Sequence, residues 1–203
     1  MARMTTPAED TLTALIHLLD REGYDAVTAD QLARQAGMSR ASFFRHLGGK
    51  EEVVFADHAA LLARLDDFLR GTSLGVREAL EEAVQVFRHH TADPDRARAR
   101  SRLLRGSQAL RTRELLTSHR YTELFSGWLA TALPDTPARG GVAVGLAAAV
   151  VAVHNRALRA WLHAPADDAE AGLRADLAEV IARLTAEPAE AERTLAAVRR
   201  LLG

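Results

Sequence analysis

Residues 36–52 read AGMSRASFFRHLGGKEE, and the fold turns on where their two adjacent aromatic side chains go. Arg40, Arg45, His46 and Lys50, the only lysine of the chain, stand within two helical turns of Phe43 and Phe44. A period of 3.6 puts Phe43 and Leu47 on one face, with Ala36 and Met38 as core partners. It leaves Ser39, Arg40, Ser42, Phe44, Arg45 and His46 on the outer arc. Ser39 caps this helix, expected over about 40–46, and Gly48–Gly49 end it. Upstream, TADQ at 28–31 is a capping box that opens a helix with Leu32, Ala33 and Ala36 inward, and Gly37 breaks it. Two short helices around a glycine turn have the spacing of a helix-turn-helix, which an ordinary αα-corner shares. Charge separates the two readings: residues 31–50 hold Arg34, Arg40, Arg45 and Lys50 and no acid. A cationic, hydroxylated and partly aromatic face suits phosphates, base edges and thymine methyls. Lys50 stands beside the amides that follow Gly48 and Gly49, an arrangement that holds an anion.

Outward from this stretch, the whole chain scans as helix, and no window alternates convincingly enough for a strand. TPAE at 6–9 offers Thr6 as N-cap and Pro7 at the first helical position. Leu12, Leu15, Ile16 and Leu19 follow as one stripe, and Gly23 ends that helix. A long helix runs from Lys50 to about Arg70. Breaks at Gly71–Gly75, Asp93-Pro94, Gly106, Pro134–Pro137, Pro165 and Pro188 divide the rest into roughly six helices. The expected architecture is all-α, with a helix-turn-helix domain over 1–49 and a larger helical domain over 50–203.

The 203 residues carry a net charge of −1, so nucleic-acid or membrane binding must come from a local patch. The absence of cysteine excludes disulfides, a thiolate zinc site and a cysteine nucleophile. The N-terminus lacks the apolar core of a signal peptide. The run GGVAVGLAAAVVAV at 140–153 falls short of the roughly 20 residues that span a bilayer, so no membrane partner and a cytoplasmic location are expected. No paired nucleophile and base, phosphate loop or metal-ligand frame appears, which argues against an enzyme. No cofactor and no metal are expected; His58, His89, His90, His119 and His154 read as structural or pocket-lining residues.

The segment GYDAVTADQLARQAGMSRASFFRHLGGKEEVV at 23–54 resembles the DNA-binding domain of the tetracycline-repressor (TetR) family of bacterial regulators. The shared pattern runs Gly-Tyr, a Thr opening the second helix, Leu-Ala, Ala-Gly-x-Ser, an aromatic pair with His, and Lys-Glu. The resemblance implies phosphate contacts from Thr28, from the position of Phe44 and from Lys50. It implies base or phosphate contacts from Arg40, Ala41, Ser42, Arg45 and His46, with Ser39 at the helix start. Where this chain has Phe44 the family usually has Tyr, and the usual basic N-terminal arm is reduced to Arg3. The resemblance further implies a ligand-responsive homodimer on double-stranded operator DNA, more often a repressor, whose last long helices form a four-helix bundle across a two-fold axis.

Beyond the resemblance, Phe68, Phe87, His90, His119, Tyr121, Phe125 and Trp128, with His154 and Asn155, are candidates to line an apolar pocket for a small-molecule effector, mainly apolar and aromatic or multi-ring. The alternative is a DNA-binding protein with no effector pocket and a tightly filled C-terminal core. The helix through GGVAVGLAAAVVAVHNRALRAWL is apolar nearly all round and so is expected to be buried on several sides. Val150, Leu158 and Trp161 on it, and Leu173, Leu177 and Ile181 on a helix over about 167–186, are the candidate dimer contacts. The arginine-rich stretch 95–113 reads as a solvated short helix.

Overall fold

Side chains cap the starts of several helices, at Thr28, Ser39, Asp93 and Ser107, and Gly48 closes the third. The structure, a computed structural model, describes residues 9–71, 75–76 and 81–185. Among these the regular elements are α1 (Glu9–Glu22), α2 (Ala29–Gln35), α3 (Arg40–Leu47), α4 (Lys50–Gly71), α5 (Glu81–Thr91), α6 (Pro94–Gly106), α7 (Gln108–Ala132), α8 (Arg139–His163) and α9 (Ala169–Thr185). The cap at Thr6 and the break at Pro188 lie outside the described residues.

The Thr28 hydroxyl accepts from the Gln31 amide at 3.3 Å, while the Gln31 carboxamide oxygen accepts from the Thr28 amide at 2.7 Å. These reciprocal bonds satisfy two of the amides that any helix start leaves orphaned. The turn between α2 and α3 depends on Gly37, whose φ of +65° an L side chain rarely adopts. Gly48 closes α3 at φ +76°, and a Cβ there would also stand 3.2 Å from the Glu52 side chain.

Two apolar cores result. The first joins Leu12, Leu15, Ile16 and Leu19 of α1 to Leu32, Phe43 and Leu47, and takes in Val53, Val54 and Phe55 of α4 and Ala99, Leu103 and Leu110 beyond. Phe43 is fully buried in it, so truncation to Ala would cost about 3–5 kcal/mol. The second core is built from Leu61, Leu65 and Leu69 of α4 with Val84, Phe87, Phe125, Leu129, Leu146, Val150, Leu173 and Leu177. Thus α4 contributes its first turns to one core and its later turns to the other.

A second connection runs through α6, which packs on α1. The Arg102 guanidinium grips Asp20 with two nitrogens, at 2.6 and 3.0 Å, and Thr13 donates to Asp93 at 3.3 Å. The 95–113 stretch is therefore not simply solvated: Arg96 is 7% exposed, and the Arg100 side chain is 13% exposed. Buried guanidinium on a sequence that reads as a surface helix is explained by α6 lying between the two cores.

Candidate nucleic-acid interface and internal cavity

On α3 the Ser39 hydroxyl accepts from the Ser42 amide at 3.1 Å and fixes the start of the helix. Phe43 is buried, whereas Phe44 keeps 40% of its surface in solvent, its ring meeting Phe43 edge-on. Arg40, Ala41 and Arg45 are exposed beside it, and Ser42 and His46 are half-buried. Arg45 donates to the Ser42 hydroxyl at 3.3 Å, and the Arg40 guanidinium lies 5.4 Å from the Phe44 ring centre. Arg40 also pairs with Asp30 at 2.6 Å, an acid one residue outside the acid-free run. Both partners are largely exposed, and such a pair contributes only about 0–1 kcal/mol, so an incoming phosphate can replace it.

Lys50 departs from expectation. Its ammonium donates to the carbonyl oxygens of Tyr24 at 2.7 Å and Val27 at 3.2 Å, and sits 4.2 Å from the Tyr24 ring centre. It ties the α1–α2 connection to the start of α4 instead of reaching outward past the glycines. Burial, with Glu51 and Asp25 nearby, raises the Tyr24 phenol to about 12.

The larger cavity, about 670 Å³, opens among α4, α5, α6, α7 and α8. That is within the range for drug-sized ligands. Phe55, Val86, Phe125, Val150 and Leu158 give it apolar walls, while His58, His90, Arg100, Tyr121 and His154 put polar groups into it. Burial and the neighbouring Arg100 charge depress His58 to about 3. Burial likewise pushes His90 well down, and pushes His154 down against the hydrogen bond it donates to Asn155. Burial alone would raise the Asp57 carboxyl, but a hydrogen bond from His89 and the charge of Arg100 hold it well below the usual carboxylate range. The cluster therefore contains one anion, one guanidinium and neutral imidazoles.

Of the residues expected around a pocket, His90, Tyr121, Phe125, His154 and Asn155 line this cavity. The other four lie elsewhere. Phe87 is buried in the second core, edge-on to His154, and Phe68 packs against that core half-buried. His119 is exposed and faces Glu123 at 3.4 Å, because it lies two residues, about 200° of helix, from Tyr121. Trp128 lines a separate cavity with Asp66, Leu69, Arg70 and Glu123, two turns beyond Tyr121 along α7. His58, read from the sequence as structural or pocket-lining, also lines the larger cavity, whereas sequence reasoning missed Phe55 and Arg100, which no local pattern marks as cavity residues.

The expected dimer contacts also face inward. Val150, Trp161, Leu173, Leu177 and Ile181 are buried within the single chain, and Leu158 is half-buried against the same core and lines the cavity. Their stripes are the ones α8 and α9 turn on their own domain. The opposite side of α8 exposes Gly141, Val144, Gly145, Ala148 and Ala152. By length and composition this helix is able to cross a membrane, with mean hydropathy 1.5 over its most apolar 18 residues, of which 28% are buried. The continuous run counted from the sequence stops at His154, but the apolar character resumes after it. Here the helix packs between α7 and α9 as a core element.

Asp57, His89 and His90 bring potential metal-ligating atoms within 4.8 Å of one another. Arg100 Nη1 lies 3.8 Å from Asp57 Oδ1, and His89 Nε2 is 3.2 Å from Oδ2. A guanidinium already neutralises the carboxylate that a dication would need, so the donor set does not fit a metal.

Residues 12–56 match the family described as bacterial regulatory proteins, tetR family. A protein described as a mycofactocin biosynthesis transcriptional regulator, MftR of Mycobacterium tuberculosis, is 32% identical over 87 residues, 42% of this chain and 43% of its own length. This chain thus spans less than half of that curated relative. The crystal structure of NalD from Pseudomonas aeruginosa, the secondary repressor of the MexAB-OprM multidrug efflux pump, matches with a TM-score of 0.50 at 18% identity, over 87% of this chain and 95% of NalD. A TetR family transcriptional regulator, PfmR from Thermus thermophilus, gives a TM-score of 0.49 at 20% identity, over 85% and 97%. At 18% identity the NalD structure speaks for the fold alone.

Proposed function

We propose that this chain, whose residues 12–56 match the tetR family of bacterial regulatory proteins, is a cytoplasmic homodimeric transcriptional regulator of that family that releases operator DNA when a small molecule fills the cavity. The observation that carries the reading is a shared scaffold. The exposed face of α3 offers Arg40, Ala41, Phe44 and Arg45, and α4 and α6, which complete the core beneath α3, also wall the 670 Å³ cavity. Thr28, Ser39, Ser42 and His46 border that face and extend the proposed contact surface. Residues 1–49 serve as the DNA-binding domain and 50–203 as the effector and dimerisation domain.

A ligand shifts such a protein only by binding its two arrangements unequally. The cavity walls suit that requirement: Phe55, His58 and Arg100 touch the cavity from the two helices that complete the first core. A filled cavity that moves α4 or α6 therefore moves the seat of α1 and α3. The rival reading, a DNA-binding protein without an effector, is disfavoured by the size of the opening.

Dimerisation is assigned to the exposed side of α8, with Val144 at its centre. A two-fold pair would space its recognition helices about 34 Å apart, or a multiple of that, and select a near-palindrome. The test is selection from a random duplex library at fixed salt, repeated with Arg45→Ala and Arg40→Ala. Enrichment of a near-palindrome that either variant binds about 5- to 100-fold more weakly supports the proposal. No enriched sequence, or variants that bind it as the parent does, removes α3 as the reading element.

A further inference from the structure

We propose that the cavity takes an uncharged, mostly apolar molecule whose carbonyl oxygen accepts a hydrogen bond from the Tyr121 hydroxyl. This rests on the reading of the cavity as an effector site and names the class of molecule that enters it.

A guanidinium has only donors, so the contact between Arg100 Nη2 and His58 Nε2 requires that nitrogen to accept. The proton of the neutral His58 imidazole is then on Nδ1, which stands 3.1 Å from Tyr121 Oη. Nδ1 donates and the phenol oxygen accepts. That spends an acceptor site of Tyr121 and leaves its O–H as a donor with no acceptor among the described residues. Tyr121 lines the cavity, so the missing acceptor has a place to stand. The chain Asp57, Arg100, His58, Tyr121 fixes the polarity of that last group as donating.

A second buried group is incomplete on the same wall. Asn155 Nδ2 donates to Ser118 Oγ at 3.3 Å, which turns its oxygen toward His154 Nδ1, also at 3.3 Å. His154 therefore holds its proton on Nδ1 and presents a bare lone pair at Nε2, which is buried and has no partner among the described residues. Tyr121 and His154 both belong to the cavity wall, but the buried Nε2 is shielded, so the Tyr121 hydroxyl is the group that calls for an occupant bringing an acceptor.

Charge decides against an ion. Asp57 and Arg100 neutralise each other at 3.8 Å, and Arg100 also lies 5.0 Å from the Phe55 ring centre. An anion at Tyr121 would meet no unpaired cation there and would approach Asp57. The arginines on the open side, Arg105, Arg111 and Arg159, are exposed and offset in part by Glu114. Exposed charges, screened by water, contribute less than burying an unpaired ion costs.

Two fluorophores of similar size separate the possibilities: 6-propionyl-2-(dimethylamino)naphthalene, an uncharged aryl ketone whose emission moves to longer wavelength when its carbonyl accepts a hydrogen bond, and the anion 1-anilinonaphthalene-8-sulfonate. The full chain should bind the ketone saturably, one per chain and more tightly than the sulfonate. Tyr121→Phe should weaken the ketone about 3- to 10-fold and shift its bound emission to shorter wavelength. Val151→Trp, which fills the cavity from α8, should abolish binding. The emission shift guards against a merely structural effect, because altered packing alone would not remove a carbonyl hydrogen bond. Ketone binding with unchanged affinity and emission in Tyr121→Phe, or unaffected by Val151→Trp, overturns the proposal. Tighter binding of the sulfonate in the cavity also overturns it but leaves an effector site standing. Failure of both probes to bind saturably removes the effector site itself.

Discussion

Replacing Lys50 with Met separates two roles that one residue cannot fill with the same ammonium. Methionine keeps an apolar stem of similar length and removes only the charge and its donors. In the structure the ammonium makes two hydrogen bonds, to Tyr24 O and Val27 O, and a contact with the Tyr24 ring. A hydrogen bond from a charged donor contributes about 1.5–3 kcal/mol and an exposed cation–π contact about 0.5–1 kcal/mol. The side chain is half-buried, so water replaces part of this on mutation. About 2 kcal/mol of lost stability is the expected outcome, equivalent to a fall in Tm of roughly 4–8 °C for a chain of this size. Urea unfolding followed by circular dichroism reads the stability. Titration of duplex DNA at several salt concentrations reads the phosphate contacts, one of which would change the logarithmic salt slope by about 0.9. An unchanged unfolding midpoint together with a slope reduced by that amount would refute the structural role and restore Lys50 as a phosphate ligand.

Acid should weaken the fold through the buried imidazoles. His58, His90 and His154 all have folded pKa values below the ordinary 6.5, so the unfolded chain takes up protons that the folded one refuses. Their contribution is complete above pH 6.5 and declines as pH falls below it; for His58, depressed to about 3, roughly 1 kcal/mol should be gone at pH 5.5 relative to 7.5, and His90 and His154 add to the loss in the same direction. Urea midpoints at those two pH values check this, and a flat profile would mean the cluster is charged or open to water. Phe44→Tyr places a hydroxyl at a position already 40% exposed; stability should hold within about 0.5 kcal/mol while affinity for duplex DNA rises slightly, and weaker binding would put Phe44 in an apolar contact instead.

The three N-terminal helices were legible because their signals are local. Thr28 with Gln31, Ser39, Gly37 and Gly48 each fix a start, a turn or a stop within four residues, and Phe43 and Phe44 sort by helical period alone. The cavity depends on where long helices cross, which no local signal carries. On α7 the sequence offered His119, Tyr121, Phe125 and Trp128 equally. Helical angle alone excludes His119, but only the packing of α4 and α8 decides that the opening lies at Tyr121 and has closed before Trp128. Arg100 was unreadable for another reason. Its pairing with Asp57 and His58 spans more than forty residues, and in an arginine-rich chain nothing marks one arginine as buried. The dimer residues failed through their very hydrophobicity, since the strongest apolar stripe belongs to the chain's own core.

That last point yields the sharpest test of the dimer. Val144 is 57% exposed in the single chain, whereas Val150, fewer than two turns along the same helix, is fully buried. Gly141, Gly145, Ala148 and Ala152 flank Val144 with side chains small enough for another helix to approach closely. A glutamate at an exposed helix position changes stability by no more than about 0.5 kcal/mol, but one buried in an interface without a partner costs several. Val144→Glu should therefore leave each chain folded, with an unaltered helical circular dichroism spectrum, and convert a dimer into a monomer in sedimentation equilibrium at micromolar concentration. Val150→Glu should unfold the chain whether or not it dimerises, and so serves as the contrast. A chain in which Val144→Glu keeps both its dimer and its dissociation constant pairs through some other face, and the two-fold spacing assigned to the recognition helices would go with it.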